Sequence, residues 1–129
     1  MTDWVFVYGT LKRGGRYHRR IRPFVREGRT GWVPGRLLDL GGYPGWVAGA
    51  GRVWGEAYRL SPLAPALAVL DELEDYYGPG DPRNLYERLT VEVRGEGEPV
   101  RAWAYRYVGP RQGRPFVAGG RWPPGRSAS

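Results

Sequence analysis

The sequence predicts an α+β fold: a small mixed, mostly antiparallel β-barrel with one main helix packed against it. Two observations lead there. Five short runs rich in β-branched and aromatic residues are separated by glycine- and proline-rich stretches, and a single segment repeats its leucines at helical spacing. The chain of 129 residues fits one domain and can bury about two-thirds of its unfolded surface.

Trp4-Val5-Phe6-Val7-Tyr8 is the first strand, apolar throughout and so buried, and Gly9 ends it. A second strand is expected over Gly31 to Leu40, broken by Pro34-Gly35, and a third over Arg52 to Leu60. The helix follows, from Ser61-Pro62-Leu63 to Glu74, with Ser61 suited to capping and Pro62 at the first helical position, where its missing N–H is harmless. The last two strands, Tyr86 to Arg94 and Val100 to Val108, each offer one face to a core. Leu89, Val91 and Val93 oppose Arg88, Thr90 and Glu92, while Trp103, Tyr105 and Tyr107 oppose Ala102 and Ala104. Gly95-Glu96-Gly97-Glu98-Pro99 joins them as a hairpin connection, making them antiparallel neighbours. A domain over residues 1–109 is expected, followed by an irregular Pro/Gly/Arg-rich tail over 110–129 that lies on the body or frays.

Composition narrows the chemistry. Without cysteine there are no disulfides, thiolate nucleophiles or cysteine-bearing zinc sites, and cytosol is the natural compartment. The start Met1-Thr2-Asp3-Trp4 does not read as a signal peptide, and no apolar run is long enough to span a bilayer, so a membrane is not expected as a partner. His18 is the only histidine, in the polar run Gly14 to Arg20, which disfavours a histidine triad or a multi-histidine metal site. Of the serines, Ser61 is assigned to the helix cap, and Ser127 and Ser129 belong to an end expected to fray. No metal or cofactor is called for, and acid/base work falls to carboxylates, with tyrosine as an outside candidate. The net charge of +7 comes from 20 basic residues that are all arginine apart from Lys12. They are scattered from Arg13 to Arg126, so a solvated basic surface is expected rather than a nucleic-acid partner.

Glu74 stands out among the carboxylates. Counting about 100° per residue from Leu63, Leu67 falls near about 40°, Leu70 near about 340° and Glu74 near about 20°. A carboxylate on a leucine stripe faces the interior, where desolvation raises its pKa toward the range of a general acid/base. The alternative is a salt bridge to one of the arginines. Asp71 lies at the stripe's edge and could cap, orient Glu74 or pair with an arginine; Glu72 and Asp75 point outward; Glu56 shares a strand face with Trp54 and Tyr58, and a structural hydrogen-bonding role is favoured for it.

Phe6-Val7-Tyr8-Gly9-Thr10-Leu11-Lys12-Arg13-Gly14, Gly42-Tyr43-Pro44, Val53-Trp54-Gly55-Glu56-Ala57-Tyr58, Leu70-Asp71-Glu72-Leu73-Glu74 and Leu85-Tyr86-Glu87-Arg88 form an ordered series. From about Val5 to Tyr107 it resembles the γ-glutamylcyclotransferase-like superfamily, in its γ-glutamylamine cyclotransferase and AIG2-like branch. The resemblance implies a barrel with a cavity and an acyl-transfer or lyase-type enzyme without a cofactor. Its substrate would be a small molecule bearing a γ-glutamyl group, whose α-amine attacks its own γ-carbonyl to release 5-oxoproline and a free amine. By the motif, Glu74 is the general acid/base and the turn Tyr8, Gly9, Thr10 and Leu11 binds the glutamyl moiety. Tyr43, Pro44, Tyr86 and Tyr107 are the further candidates for the pocket wall. The branch often has glycine after the catalytic glutamate; Asp75 stands there instead, and a second carboxylate could alter substrate preference or raise the pKa of Glu74. A non-catalytic module binding γ-glutamyl compounds or other carboxylates on the same fold is the alternative function. Nothing in the sequence fixes an oligomeric state.

Overall fold

The computed structural model describes residues 2–123. The strands are β1 (Trp4–Val7), β2 (Val25–Asp39), β3 (Pro44–Leu60), β4 (Tyr86–Val93) and β5 (Val100–Tyr107). The helices are a four-residue α1 (His18–Ile21), continued by a 3-10 turn over Arg22–Phe24, and α2 (Leu63–Leu73). The strands form one sheet in the order β2-β3-β1-β5-β4. Neighbours are antiparallel except β1 with β5, where Val5 faces Trp103. A parallel contact of Trp46 with Arg106 also joins β3 to β5.

The sheet curls until its edges touch. Trp32 of β2 and Arg94, just past β4, exchange backbone hydrogen bonds of 2.7 and 2.9 Å. That single bridge falls short of a continuous ladder, so the sheet stays open and "barrel" describes it loosely. The curl divides the apolar side chains between two cores. Inside it lie Phe6, Val33, Leu37, Trp46, Val53, Ala102 and Ala104. On the other face, Val5, Val7, Leu60, Tyr105 and Tyr107 pack with Ala66 and Leu70 of α2. Central β1 and β5 therefore bury both faces. This corrects the expectation of one core face for β5: its small Ala102 and Ala104 allow close packing inside the curl, while its aromatics meet the helix side.

Two strands are longer than the sequence suggested. β3 begins at Pro44 instead of Arg52, because β2 supplies a ladder that its glycine-rich start would not indicate. Between Val47 and Arg52 the residues 48–51 take no partner in that register, and the interruption foreseen at Pro34-Gly35 is a register shift between Pro34 and Arg36. The hairpin of β4 and β5 is as expected, with Val93 opposite Val100.

The start of α2 differs. Pro62 occupies the cap position and no side chain caps the helix. Ser61 is instead drawn to the β2 side: its N–H donates to the Phe24 carbonyl at 2.9 Å and its own carbonyl accepts from Arg26 at 2.8 Å. Beyond β5, residues 110–123 lie against the body as mostly irregular chain. Val117 N–H donates to the Leu37 carbonyl at 2.8 Å, Phe116 bridges Leu38, and Trp122 is fully buried. The fraying expected at Ser127 and Ser129 lies outside the described residues.

Candidate active site

At the C-terminal end of β1 the sheet and α2 leave a cavity of about 360 Å³, within the range of small-molecule sites. Six segments line it: the end of β1 with the turn after it, Arg16 and Tyr17 just before α1, the β2–β3 connection, the end of α2, the start of β4, and Tyr105 of β5.

The turn after β1 is fixed from two sides. Gly9 packs so closely on Pro44 that a Cβ there would sit 2.7 Å from the proline Cγ, and this contact joins the turn to the β2–β3 connection. Beyond it, Lys12 N–H donates to the Gly9 carbonyl and Tyr17 N–H to the Thr10 carbonyl. Glu56 on β3 receives the Arg13 N–H at 2.7 Å and the Tyr58 hydroxyl, which bears out the structural role expected of it. His18 adds a 2.9 Å hydrogen bond between its Nδ1 and the Leu11 carbonyl. Within the described residues the N–H groups of Gly9, Thr10 and Leu11 donate to nothing, and all three residues line the cavity. Successive unpaired N–H groups of this kind suit an anion.

Glu74 enters from the opposite side. It is the C-cap of α2, one residue past the helix, with φ −94° and ψ 4°. Asp75 N–H donates to the Glu72 carbonyl and Tyr76 N–H to the Asp71 carbonyl, the paired bonds of a Schellman motif. Asp75 takes the left-handed position of that motif, with φ 50°. The Glu74 side chain is half-buried and lines the cavity, and among the described residues nothing donates a hydrogen bond to its carboxyl. Burial, with a smaller contribution from the charge of Asp75, raises its pKa from 4.5 to about 7. An arginine salt bridge, the alternative for this residue, is not made among the described residues. Arg88 pairs instead with Asp71 at 2.7 Å, and the Tyr105 hydroxyl donates to the same Asp71 at 2.5 Å.

Tyr8, Tyr86 and Tyr105 form the buried part of the walls, and their hydroxyls are committed. Tyr8 donates to the Tyr105 carbonyl at 2.6 Å, and Tyr86 to the Pro44 carbonyl at 2.9 Å. Burial pushes the Tyr8, Tyr86 and Tyr105 phenols above their ordinary range, so all three remain protonated at neutral pH. The structure thus brings Glu74, Tyr8, Gly9, Thr10, Leu11, Tyr43, Pro44 and Tyr86 around one cavity. Tyr107 is not in its lining. It stands behind Tyr86, ring centroids 5.5 Å apart, and its hydroxyl donates to the Pro110 carbonyl at 2.7 Å. Tyr105 lines the wall instead, and Arg16, Tyr17 and Leu85 complete the mouth, none of them singled out by the sequence. The face shared by Tyr105 and Tyr107 was visible; which of the two reaches the cavity depends on where the strand crosses its floor.

No group of His, Cys, Asp and Glu side chains among the described residues could hold a metal ion, and no helix among them is long and apolar enough to cross a membrane.

Comparison with known proteins agrees with this architecture. The family described as gamma-glutamyl cyclotransferase, AIG2-like, matches residues 5–124. The chain is 39% identical over 104 residues to the gamma-L-glutamyl-butirosin B gamma-glutamyl cyclotransferase of Niallia circulans, a match covering 80% of this chain and 65% of that longer relative. It is 28% identical to the γ-glutamylcyclotransferase family protein YtfP of Escherichia coli K12, over 92% of this chain and 94% of that one. The solution structure of ytfP from Escherichia coli superimposes with a TM-score of 0.60, at 30% identity, over 92% of this chain and 95% of the other. YkqA of Bacillus subtilis shares the fold, with a TM-score of 0.68 at 21% identity over 95% of this chain and 40% of its own. With the family's match running from the first strand into the segment that buries Trp122, the chain belongs to the AIG2-like γ-glutamyl cyclotransferase family.

Proposed function

We propose that this protein cyclises a γ-glutamyl amide, releasing 5-oxoproline and a free amine, with Glu74 as the proton carrier. The observation that supports this most is the carboxyl of Glu74 itself: it lines the cavity, receives no hydrogen bond from the described residues, and titrates near neutrality.

The reaction needs little else. The substrate's α-amine attacks its own γ-carbonyl carbon, a C–N bond forms, and a five-membered lactam closes as the original amide C–N bond breaks. Glu74 as carboxylate takes a proton from the α-amine, and as acid returns one to the departing nitrogen. A pKa of about 7 suits both halves of that exchange. The cavity holds the glutamyl chain folded, which is where an intramolecular attack gains most of its rate. The free N–H groups of Gly9, Thr10 and Leu11 receive the glutamyl carboxylate or the developing oxyanion. Tyr8, Pro44 and Tyr86 shape the walls, and Tyr43 covers the mouth.

The test is 5-oxoproline release from a panel of γ-glutamyl amines, γ-glutamyl dipeptides and glutathione. Product from at least one member is expected. If none yields product while γ-glutamyl ligands still raise the melting temperature, the protein is a binding module and not an enzyme.

A further inference from the structure

The charged side chains lining the cavity are Arg16, Glu74 and Asp75. In a chain of net charge +7, this wall carries two carboxylates against one guanidinium, the reverse of the molecule as a whole. The two acids are adjacent in sequence, and only Glu74 has a part in the proton transfer proposed above. Asp75 is left to be explained.

Its backbone makes the question sharper. Asp75 is the one non-glycine with positive φ among the described residues, at 50°, in a helix-end position that glycine occupies without strain. A side chain is kept where dispensing with it would relieve the backbone. That side chain is exposed at the cavity and has no hydrogen bond or ion pair within the described residues, in a chain rich in arginine. It is also the charge that acts on Glu74, whereas Arg16, at the same cavity, has no comparable effect there. The leaving nitrogen must come to Glu74 to be protonated, and Asp75, the next residue in the same lining, is the charged neighbour that the rest of the leaving group can meet.

Resting on the cyclotransferase reading, we propose that Asp75 is a specificity-determining residue that selects a leaving amine carrying a second positive charge, a diamine or polyamine in chemical class. The second ammonium pairs with the Asp75 carboxylate at the mouth. The one guanidinium of the lining, Arg16, stands 5.3 Å from the Tyr17 ring centroid and makes no ion pair with Asp75 among the described residues.

The test uses two isosteric substrates, the γ-glutamyl amides of putrescine and of n-pentylamine, which differ by an ammonium in place of a methyl. Wild-type kcat/KM is expected to favour the putrescine amide by about fivefold to tenfold, mainly through KM, since the interaction involves a non-reacting end. Asp75→Asn, whose amide tolerates the same backbone conformation, should bring that ratio to about one. Added salt should do the same to the wild type. Because the readout is a ratio within each variant, any change in the proton affinity of Glu74 cancels. Equal preference in the wild type overturns the proposal. So does an equal loss on both substrates in Asp75→Asn, which would place the carboxylate's role at the α-amine or at Glu74. Affinities of the same pair for Glu74→Gln, with and without Asp75→Asn, separate the two claims. Silence of the wild type in turnover sinks the reaction, whereas equal affinities of Glu74→Gln for the two amides sink the charge selection.

Discussion

Two neighbouring residues carry opposite lessons about position. Glu74 is costly to the fold and useful to the site. Its carboxyl has a pKa of 4.5 outside the fold and about 7 within it, so between those values the folded protein holds a proton that the unfolded chain has released. Stability therefore falls as pH rises through that window, and above it the penalty reaches up to about 3 kcal/mol. Glu74→Gln should raise the melting temperature above pH ~8 and lose that advantage below pH ~4, as thermal unfolding across pH will show. The same titration sets the acid limb of catalysis. The carboxylate is the base, so kcat/KM should rise through a pKa of about 7. Asp75→Gly removes both a left-handed strain of about 1 kcal/mol and the like charge beside Glu74. It should melt higher than the wild type, and its acid limb should move to lower pH. Glu74 was legible in the sequence because leucines three, four and seven residues apart define a stripe. Its placement at the cap, beyond the helix, was not, because the turn closes on an aspartate where glycine would have signalled the end.

The elements divide into those that hold the site and those that only support it. The turn after β1 depends on β3: Glu56 receives the Arg13 N–H and the Tyr58 hydroxyl. Glu56→Ala leaves the Arg13 N–H with only the Tyr58 hydroxyl oxygen at 3.1 Å, takes away the acceptor of that hydroxyl, and should cost about 1–2 kcal/mol. As the role is positioning, KM should rise more than kcat falls; a kcat collapse like that expected of Glu74→Gln would instead make Glu56 the proton carrier. α2 is anchored by Ala66 and Leu70, and Leu70→Ala should cost about 2–5 kcal/mol in denaturant unfolding while aiming Glu74 less well. Strands with plain alternation or a continuous apolar run, β1, β4 and β5, were readable in advance. The first half of β3 was not, since Gly45, Gly49 and Gly51 speak against a strand and the pairing with β2, joined by the contact of Trp46 with β5, makes one.

For the whole molecule, the open, curled sheet is covered by a segment that looks like a tail and buries its own Gly120 and Trp122 against the sheet. Residues 110–123 hydrogen-bond to Leu37 and Asp39 of β2, and the Lys12 ammonium donates to the Trp122 carbonyl at 2.7 Å. Trp122→Ala should cost about 3–5 kcal/mol, and a chain ending at Gly109 should unfold at markedly lower denaturant than the full chain. An unchanged midpoint would support the boundary drawn at 109 from composition. The proline- and glycine-rich setting of Trp122 hid its burial, because no periodicity marks an irregular segment that packs by a single large side chain.

Glu74→Gln keeps the shape of the cavity and removes the proton carrier. The most direct measurement is single-turnover 5-oxoproline release by wild type and Glu74→Gln on the best γ-glutamyl amide, with binding of that amide measured alongside. Binding retained and release lost by about a hundredfold or more is the result this account predicts. Release at the wild-type rate from Glu74→Gln would contradict it.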